Sequence, residues 1–341
     1  MNSFDPNAAG LRNGQFGGLP TTADEAEVIL VPVPWDVTVS SDEGTSKGPA
    51  AILEESPQLE FLNPVTGQVW ISLAMLPLPT ELEATGRELR SEAREYMNWV
   101  EAGRPGAAAA AMEKARLEIN RGCAAMNDAV EQRCREWLER NRVVGLVGGD
   151  HSTPLGFYRA LEKHRGPFAI LHLDAHCDLR AAYEGLTWSH ASIMYNAFSE
   201  GLANRIVQVG VRDYCAAELE FAAASQGRIT LHDSRSLTRQ AAAGVTWRET
   251  VRGIVETLPQ EVVVSFDIDV LEPWLCPNTG TPVPGGLNYE PCFYLLEEVV
   301  ASGRRIIGFD VTEVAPGDGS GIDAIVGARV VYRLACLAAS R

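Results

Sequence analysis

The chain contains 341 residues, of which 46% are hydrophobic and 22% are charged, together with 31 glycines and 19 prolines. This is the composition of an ordinary globular protein, and it excludes a disordered, collagen-like or rod-shaped coiled-coil protein. The length allows either two modest domains or one large α/β domain. The formal net charge of −16, from 29 basic and 45 acidic residues, argues against a nucleic-acid partner and favours a cationic ligand.

The sequence predicts neither a membrane span nor a secretory signal. Its longest apolar stretches, 28–35 and 107–112, fall far short of the roughly 18 residues needed to cross a bilayer. The first twenty residues lack the basic and apolar segments of a signal peptide. The seven cysteines are scattered and have no zinc-site spacing. We therefore expect a cytoplasmic protein without membrane contact.

Short runs rich in Val and Ile, most of which end at or near Gly or Asp, predict buried strands. They cover residues 28–34, 143–149, 168–174, 206–212, 262–269 and 305–311. Segments with helical periodicity lie between them, for example at 155–164, 189–198, 247–258 and 289–302. This alternation predicts an α/β fold with a doubly wound parallel sheet. Ligands bind such sheets at the carboxyl ends of the strands, so chemistry is expected there.

The segment 80–142 interrupts the alternation of strands and helices. Thr80 and Glu83 have the spacing of a capping box, residues 103–106 break the helical pattern, and an Ala-rich charged stretch follows. We interpret the segment as two surface helices that form a solvated hairpin or an oligomer contact, without a catalytic role. The chain is then a single domain, 1–341, with a helical insertion at about 80–142.

Three predicted strand ends concentrate carboxylates and imidazoles: GGDHS (148–152), DAHCD (174–178) and SFDID (265–269). Residues two apart in extended backbone point to the same side, so these side chains are expected to converge on one rim. Unpaired buried anions are very costly, and bound cations are the ordinary remedy. The candidate metal ligands are His151, Asp174, His176, Asp178, Asp267 and Asp269.

This ligand set favours two divalent metal ions. Oxygen and imidazole ligands without thiolate suit Mn, Fe, Ni, Zn or Mg, and six ligands exceed what one compact ion usually takes from protein. Two such ions balance four carboxylates and supply a hydroxide nucleophile at neutral pH. One of the three segments alone could cap a strand or bind a counterion, but three together favour a metal centre.

GGDHS, DAHCD and SFDIDVLEP (265–273) resemble the three signature segments of the ureohydrolase family, which includes arginase, agmatinase and guanidinobutyrase. The similarity extends to 31–36, 44–49, 279–282 and 308–316, and it covers most of the chain outside 80–142. It implies an arginase-like fold, which is a single three-layer α/β domain. It also implies that one metal is held by His151, Asp174, Asp178 and Asp267, and the other by Asp174, His176, Asp267 and Asp269, with Asp174 and Asp267 as bridges.

The resemblance implies hydrolysis of a guanidino group to urea and an amine, and it gives two more residues a role. His190 falls where the family keeps its acid–base histidine, and Glu313 falls where a carboxylate grips the guanidinium. From its position alone, His190 would be better interpreted as a cap beside the helix predicted near Ser189. Trp188 and Trp274 flank the site segments and could wall a cation pocket, with core or rim packing as the alternative.

Two residues near the candidate ligands are given supporting roles. His172 lies two positions before Asp174, and we expect it to support a ligand from behind or to belong to the core. Cys177 lies between two candidate ligands, so alternation would turn it away from the metals into packing contacts. Neither residue is predicted to bind metal.

The segments 183–196, 276–286 and 326–329 are most similar to agmatinase-like proteins related to guanidine hydrolases. This similarity implies guanidine, or a biguanide such as metformin, as the substrate and Ni²⁺ as the metal, whereas Mn²⁺ is more frequent in arginases and agmatinases. Residues 322–325 lack the Trp and Asn expected of that group, which implies an altered substrate pocket.

The expected function is therefore hydrolysis of a small cationic guanidine compound by a binuclear metal centre, in a homo- or hetero-oligomer such as the trimers and hexamers common in the family. One alternative is a structural or regulatory subunit of a hetero-oligomeric ureohydrolase, although the retained ligands, His190 and Glu313 argue against it. Another is the related deacetylase fold, which holds one zinc ion where two metals are expected here.

Overall fold

The computed structural model of the protein describes residues 4–62, 67, 70–319 and 321–340. Within these residues, the fold is built on one sheet of eight strands. The strands are β1 (Val28–Val33), β2 (Leu73–Met75), β3 (Val143–Gly148), β4 (Phe168–Leu173), β5 (Ala203–Val209), β6 (Ile229–His232), β7 (Glu261–Asp267) and β8 (Arg305–Thr312). Their spatial order is β2-β1-β3-β8-β7-β4-β5-β6, and all neighbouring pairs are parallel.

Alternate residues of the central strands enter two hydrophobic cores on opposite faces of the sheet. Leu171 of β4 belongs to the first core and Ile170 to the second, and Val264 and Val263 of β7 divide in the same way. A strand that is buried on both faces has no polar face, which explains the uninterrupted apolar runs in the sequence.

Helices cover both faces of the sheet. The first core is covered by α1 (Gly48–Glu55), α7 (Ser234–Ala242), α8 (Trp247–Glu256), α9 (Tyr289–Ala301) and α10 (Ile322–Ala339). The second core is covered by α2 (Thr80–Glu101), α3 (Ala109–Glu139), α4 (Leu155–Arg165), α5 (Ile193–Ser199) and α6 (Ala216–Ala224). The predicted three-layer, doubly wound α/β fold is confirmed.

The six predicted strands are all present, with ends that differ by up to three residues. Strands β2 and β6 were not predicted because they contain only three and four residues at the two edges of the sheet. Helices α4, α8 and α9 lie where the periodicity placed them. The helix predicted at 189–198 instead begins as a 3-10 turn, His190–Ser192, which continues into α5.

The segment 80–142 forms the two predicted helices, α2 and α3, but two expectations about it are wrong. The Pro79 carbonyl, rather than the Thr80 hydroxyl, accepts the Glu83 amide at 3.0 Å, so no capping box forms. The helices are also not a solvated hairpin. One face of each packs into the second core, where Tyr96 of α2 and Met126 of α3 are buried.

Two observations bear on the expected environment of the protein. No helix in the described part of the chain combines the length and the apolar character needed to cross a bilayer. Six of the seven cysteines are buried, and Cys215 is partly buried.

Candidate metal centre

Four neighbouring strands at the middle of the sheet, in the order β3, β8, β7 and β4, deliver the candidate residues at their carboxyl ends. His151 follows β3, Asp174 follows β4, Asp267 is the last residue of β7, and Glu313 follows β8. Because these strands are parallel and adjacent, their carboxyl ends meet at one edge of the sheet. Candidate residues from four strands, which are far apart in sequence, are therefore neighbours in space.

The first group of ligand atoms surrounds the imidazole of His151. Its Nδ1 lies 3.0 Å from Asp174 Oδ2, 3.1 Å from Asp178 Oδ2 and 3.2 Å from Asp267 Oδ2. All four side chains are buried, with at most 5% of each residue exposed. Three carboxylates thus converge on one buried ring nitrogen.

The second group surrounds the imidazole of His176. Its Nδ1 lies 3.0 Å from Asp269 Oδ2 and 3.5 Å from Asp174 Oδ1. Asp174 therefore presents one oxygen to each group. The two groups overlap in the way that a pair of bridged metal ions requires, with Asp174 as the shared ligand.

The side chains converge through turns, and the predicted alternation of an extended strand is wrong. Strand β4 ends at Leu173, and beyond it Asp174 Oδ1 accepts the His176 amide, while Asp178 has a positive φ of 54°. Strand β7 ends at Asp267, whose Oδ1 accepts the Asp269 amide at 2.9 Å in a 3-10 turn. Leaving the sheet frees the backbone to turn, so consecutive polar residues can face one point.

The donor set fits divalent cations. Among the described residues, His151 Nδ1 and Asp269 Oδ2 are buried polar atoms without a hydrogen-bond partner, which is rare in folded proteins. Burial and the neighbouring Asp174 carboxylate raise the pKa of Asp178 to about 6. Burial and the Asp269 and Asp174 carboxylates raise the pKa of Asp267 well above its usual range. Crowded carboxylates of this kind are relieved by positive charge between them.

Hydrogen bonds behind His151 fix the orientation of its ring. His151 Nε2 lies 2.9 Å from Ser265 Oγ, Ser265 Oγ donates to Asp310 Oδ1 at 2.8 Å, and Tyr158 Oη donates to Asp310 Oδ2 at 2.7 Å. With the Nε2–H directed at Ser265, the Nδ1 lone pair faces the carboxylates and is available to a metal. Asp310 was not among the predicted site residues, although a carboxylate inside an apolar strand is itself a signal of a buried polar network.

His172 contacts Asp174, and its supporting role stays a prediction, because its ligand atom also lies within reach of a metal ion held by His151, Asp174 and Asp178. Its Nε2 lies 2.7 Å from Asp174 Oδ2, and its Nδ1 lies 2.9 Å from the side-chain nitrogen of Gln208. Both ring nitrogens thus have protein partners. Cys177 is buried, and burial raises the pKa of its thiol, so it behaves as a packing residue.

His190 lies at the edge of the metal centre and lines one cavity together with His176 and Asp178. Ser189, rather than His190, caps the 3-10 turn by accepting the Ala191 amide. Burial, with a contribution from the nearby His176, lowers the pKa of His190 to about 3. The ring is therefore neutral at neutral pH, as a proton acceptor must be.

Glu313 is buried below the same centre. Its Oε1 accepts the His151 amide at 2.8 Å, and its backbone has a positive φ of 61°. Burial and the Asp150 carboxylate raise the pKa of Glu313 well above its usual range. A side chain built at Gly280 would come within 3.5 Å of Glu313 Oε2. Gly280 therefore lies close to the Glu313 carboxylate, and its neighbour Thr281 lines the cavity.

The cavity over the centre has a volume of about 160 Å³, small beside the roughly 300–1,000 Å³ of pockets for drug-sized ligands. Among the aromatic residues of the described chain, Tyr183 and Tyr214 line it, and the sequence did not single out either one. Trp188 instead packs against Arg159, whose guanidinium lies 5.1 Å from the ring. Trp274 is 62% exposed. Neither tryptophan lines the cavity: Trp188 packs against Arg159, and Trp274 is exposed to solvent.

Comparison with known proteins identifies the family. The sequence model of the arginase family matches residues 26–336. An N(1)-aminopropylagmatine ureohydrolase from Thermus thermophilus is 32% identical over 317 residues, which cover 93% of this chain and 92% of that protein. An agmatinase from Proteus mirabilis is 29% identical over 344 residues, which cover 100% and 96%. A crystal structure described as a hypothetical agmatinase from Burkholderia thailandensis superposes with a TM-score of 0.70 at 25% identity, covering 98% and 92% of the two chains.

The fold and the matched sequence define a hydrolase that acts on the carbon–nitrogen bonds of amidino compounds. The chain belongs to the arginase family and is a ureohydrolase of the agmatinase-like type. The resemblance inferred from the three signature segments is thereby confirmed.

Proposed function

We propose that the protein hydrolyses a small guanidine compound to urea and an amine or ammonia, with two divalent metal ions bound at the edge of the sheet. The observation that carries this proposal is the overlap of the two ligand groups at Asp174, directly beside a small cavity. His151, Asp174, Asp178 and Asp267 would hold one ion. Asp174, His176, Asp267 and Asp269 would hold the other.

Bound divalent ions supply Lewis acidity and lower the pKa of water, which makes it a nucleophile at neutral pH. A guanidinium needs such a nucleophile because its charge is delocalised and its carbon is a poor electrophile. Ligand chemistry supports Mn²⁺ and Ni²⁺ alike, since both accept oxygen and imidazole donors. We propose Mn²⁺, which is the more frequent metal in arginases and agmatinases, or Ni²⁺, which the sequence similarity to guanidine hydrolases implies.

His190 is proposed as the residue that moves protons. In the reaction, the water oxygen bonds to the guanidino carbon and loses both of its protons as it becomes the urea oxygen. The bond from that carbon to the leaving nitrogen breaks, and this nitrogen takes both protons to leave as an ammonium ion, or one to leave as the neutral amine while the other passes to solvent. The neutral His190 ring can accept a proton from the attacking water and return it to the leaving nitrogen. Its position beside His176 and Asp178 supports this role.

Glu313 is proposed as the group that binds the guanidinium. A buried carboxylate whose pKa is raised by its surroundings is stabilised by a cation, and a guanidinium presents paired N–H donors that match a carboxylate. Its contact with the His151 amide ties this binding position to the metal centre. Trp188 packs elsewhere, so we propose Tyr183 in its place as the aromatic side chain next to the substrate.

The substrate is proposed to be compact. The curated relatives include an agmatinase and an aminopropylagmatine ureohydrolase, and agmatine is therefore one candidate. The cavity of about 160 Å³ supports guanidine, a substituted guanidine or a biguanide such as metformin equally well. We further propose that the chain acts as an oligomer.

The test is metal analysis of the purified chain followed by a urea and ammonia assay with guanidine, agmatine, guanidinobutyrate, arginine and metformin. We expect two metal ions per chain and turnover of at least one compound, abolished by chelation and restored by Mn²⁺ or Ni²⁺. The Asp267→Asn variant should be inactive, and full activity in that variant would refute the proposal. Activity that appears only when a second homologous subunit is added would favour the regulatory-subunit alternative.

A further inference from the structure

The loop that carries His190 is held by α2 and α3, the two helices of segment 80–142. Tyr96 Oη of α2 donates to the Glu184 carbonyl at 2.6 Å. Asn120 of α3 donates from its side-chain nitrogen to the Gly185 carbonyl at 3.2 Å, and its Oδ1 accepts the Thr187 amide at 2.8 Å. Three contacts within residues 184–187 therefore hold the backbone that precedes His190.

The same loop has a tight turn that fits these helices. Glu184 and Gly185 both have positive φ, 54° and 86°, and Arg116 of α3 donates to the Gly185 carbonyl at 3.2 Å. A side chain built at Gly185 would lie 2.9 Å from the Tyr96 hydroxyl and 3.0 Å from Arg116 Cδ. The turn thus packs directly against both helices. Its Glu184 carbonyl accepts from α2, and its Gly185 carbonyl accepts from α3.

A second contact reaches His190 from the other side. Arg90 of α2 donates to the carbonyls of Val37 and Val39, at 3.1 and 2.6 Å. Thr38 lies between them, and its Oγ1 accepts the His190 amide at 3.1 Å. The same hydroxyl donates to Asp150 at 2.8 Å. The segment that precedes His190 is therefore held by α2 and α3, and the segment that accepts its amide is held by α2.

We infer that the α2–α3 pair is a positioning element for His190, with Asn120, Arg116 and Arg90 as positioning residues. This inference rests on the proposed proton-transfer role of His190. A proton carrier must stay within hydrogen-bond reach of the reacting atoms. Displacement of a reacting group by about 1 Å can cost on the order of a hundredfold in rate. The helix pair thus has a catalytic consequence although it carries no signature residue.

The experiment compares the wild-type chain with Asn120→Ala, Arg116→Ala and the conservative Arg116→Lys. The matched control is Arg121→Ala, also on α3, whose exposed side chain pairs with Glu118 of the same helix. We expect kcat to fall at least tenfold in Asn120→Ala and Arg116→Ala. In both variants KM should change less than threefold, and two metal ions per chain should be retained. Arg116→Lys should recover part of the rate because it keeps a donor for Gly185.

A double-mutant comparison separates positioning from general destabilisation. If Asn120 acts through His190, then Asn120→Ala should cost nothing further in the His190→Ala background. Rates that fall by the same factor in both backgrounds, loss of bound metal in Asn120→Ala, or rates equal to those of Arg121→Ala would each overturn the inference.

Hydrogen exchange gives a readout that needs no activity. The Thr187 amide should exchange at least tenfold faster in Asn120→Ala than in the wild type, and Arg121→Ala should leave it unchanged. If the wild type hydrolyses none of the guanidine compounds, the proposed function fails and exchange alone decides the positioning. Unchanged protection of Thr187 would then refute it.

Discussion

Replacement of Ser265 by alanine is a direct test of how the fold prepares His151 for metal. The Ser265 hydroxyl bridges His151 Nε2 at 2.9 Å and Asp310 Oδ1 at 2.8 Å, and all three residues are at most 1% exposed. Its removal leaves a buried ring N–H and a buried carboxylate oxygen without that partner. An unsatisfied buried group costs about 1–3 kcal/mol.

The expected effect of Ser265→Ala is a weaker metal site. Loss of the group that orients a metal-binding histidine typically reduces metal affinity by about 10–100-fold. We expect the same range here, equivalent to about 1.4–2.7 kcal/mol. Tyr158→Phe removes only the outer hydrogen bond to Asp310, so its effect should be smaller than that of Ser265→Ala.

The assay is competition for Mn²⁺ and Ni²⁺ with a fluorescent chelator at fixed pH. Ser302→Ala is the matched control. Ser302 follows α9 and lies near the amino end of β8, whereas the metal centre lies at the carboxyl ends of the strands. Its hydroxyl donates to the Val299 carbonyl, so the control also loses a local hydrogen bond. If Ser265→Ala binds both metals within twofold of the wild type, Ser265 does not orient His151 for metal.

Three further predictions concern metal, charge and substrate. Saturation of two sites at a hundredfold excess over their Kd should stabilise the chain by about 2.7 kcal/mol each and raise its Tm by roughly 7 °C over the chelated protein; an equal rise in Asp267→Asn would contradict the assigned site. In the metal-free chain, burial holds the pKa of His190 at about 3, so below pH 6.5 the unfolded state binds a proton that the folded state does not. The free energy of unfolding of the wild type should therefore fall relative to that of His190→Gln as pH falls from 6.5 toward 3, by up to about 1.4 kcal/mol per pH unit. Denaturation at several pH values checks this, and an equal pH dependence in the two proteins would refute it. Glu313→Gln should lower kcat/KM by at least about thirtyfold, since it removes the carboxylate from a buried charge pair, and retain two metals per chain; an unchanged kcat/KM would exclude guanidinium binding by Glu313.

The central sheet could be predicted from sequence because its strands are buried on both faces. Residues 168–173 and 261–267 contribute to both cores, which leaves a mostly apolar run followed by several polar residues. Strands β2 and β6 could not be predicted in this way, because three or four residues at a sheet edge give no pattern that differs from a loop. Whether a strand could be predicted therefore depended on its position in the sheet rather than on its residue types.

The candidate ligands could be proposed from the sequence, but the backbone turns that bring their side chains together could not. An Asp or His after an apolar run is unusual enough to mark the edge of the sheet. The turn at Asp178 and the 3-10 turn after Asp267 depend on hydrogen bonds that local sequence does not specify. Alternation failed as a guide because β4 ends before Asp174 and β7 ends at Asp267, so most of the polar residues lie beyond the strands.

Partners that are distant in sequence account for what was missed at the site. Ser265 reaches His151 across 114 residues, and Asn120 reaches Thr187 across 67. No local pattern joins such pairs, and segment 80–142 carries none of the signature segments. Its interpretation as a solvated hairpin followed from composition, whereas its contacts with the His190 loop follow from the layer in which α2 and α3 pack.

Backbone strain at two carboxylates shows how the fold holds a cluster whose charges repel. Asp178 and Glu313 both have positive φ, a conformation that costs a residue other than glycine about 1–3 kcal/mol. The Asp178 carbonyl accepts the amides of Met194 and Tyr195 in α5, and the Glu313 amide donates to the Gly149 carbonyl. These backbone contacts do not involve the carboxylates themselves. The main chain therefore helps to position both acids through contacts that their carboxylates do not make.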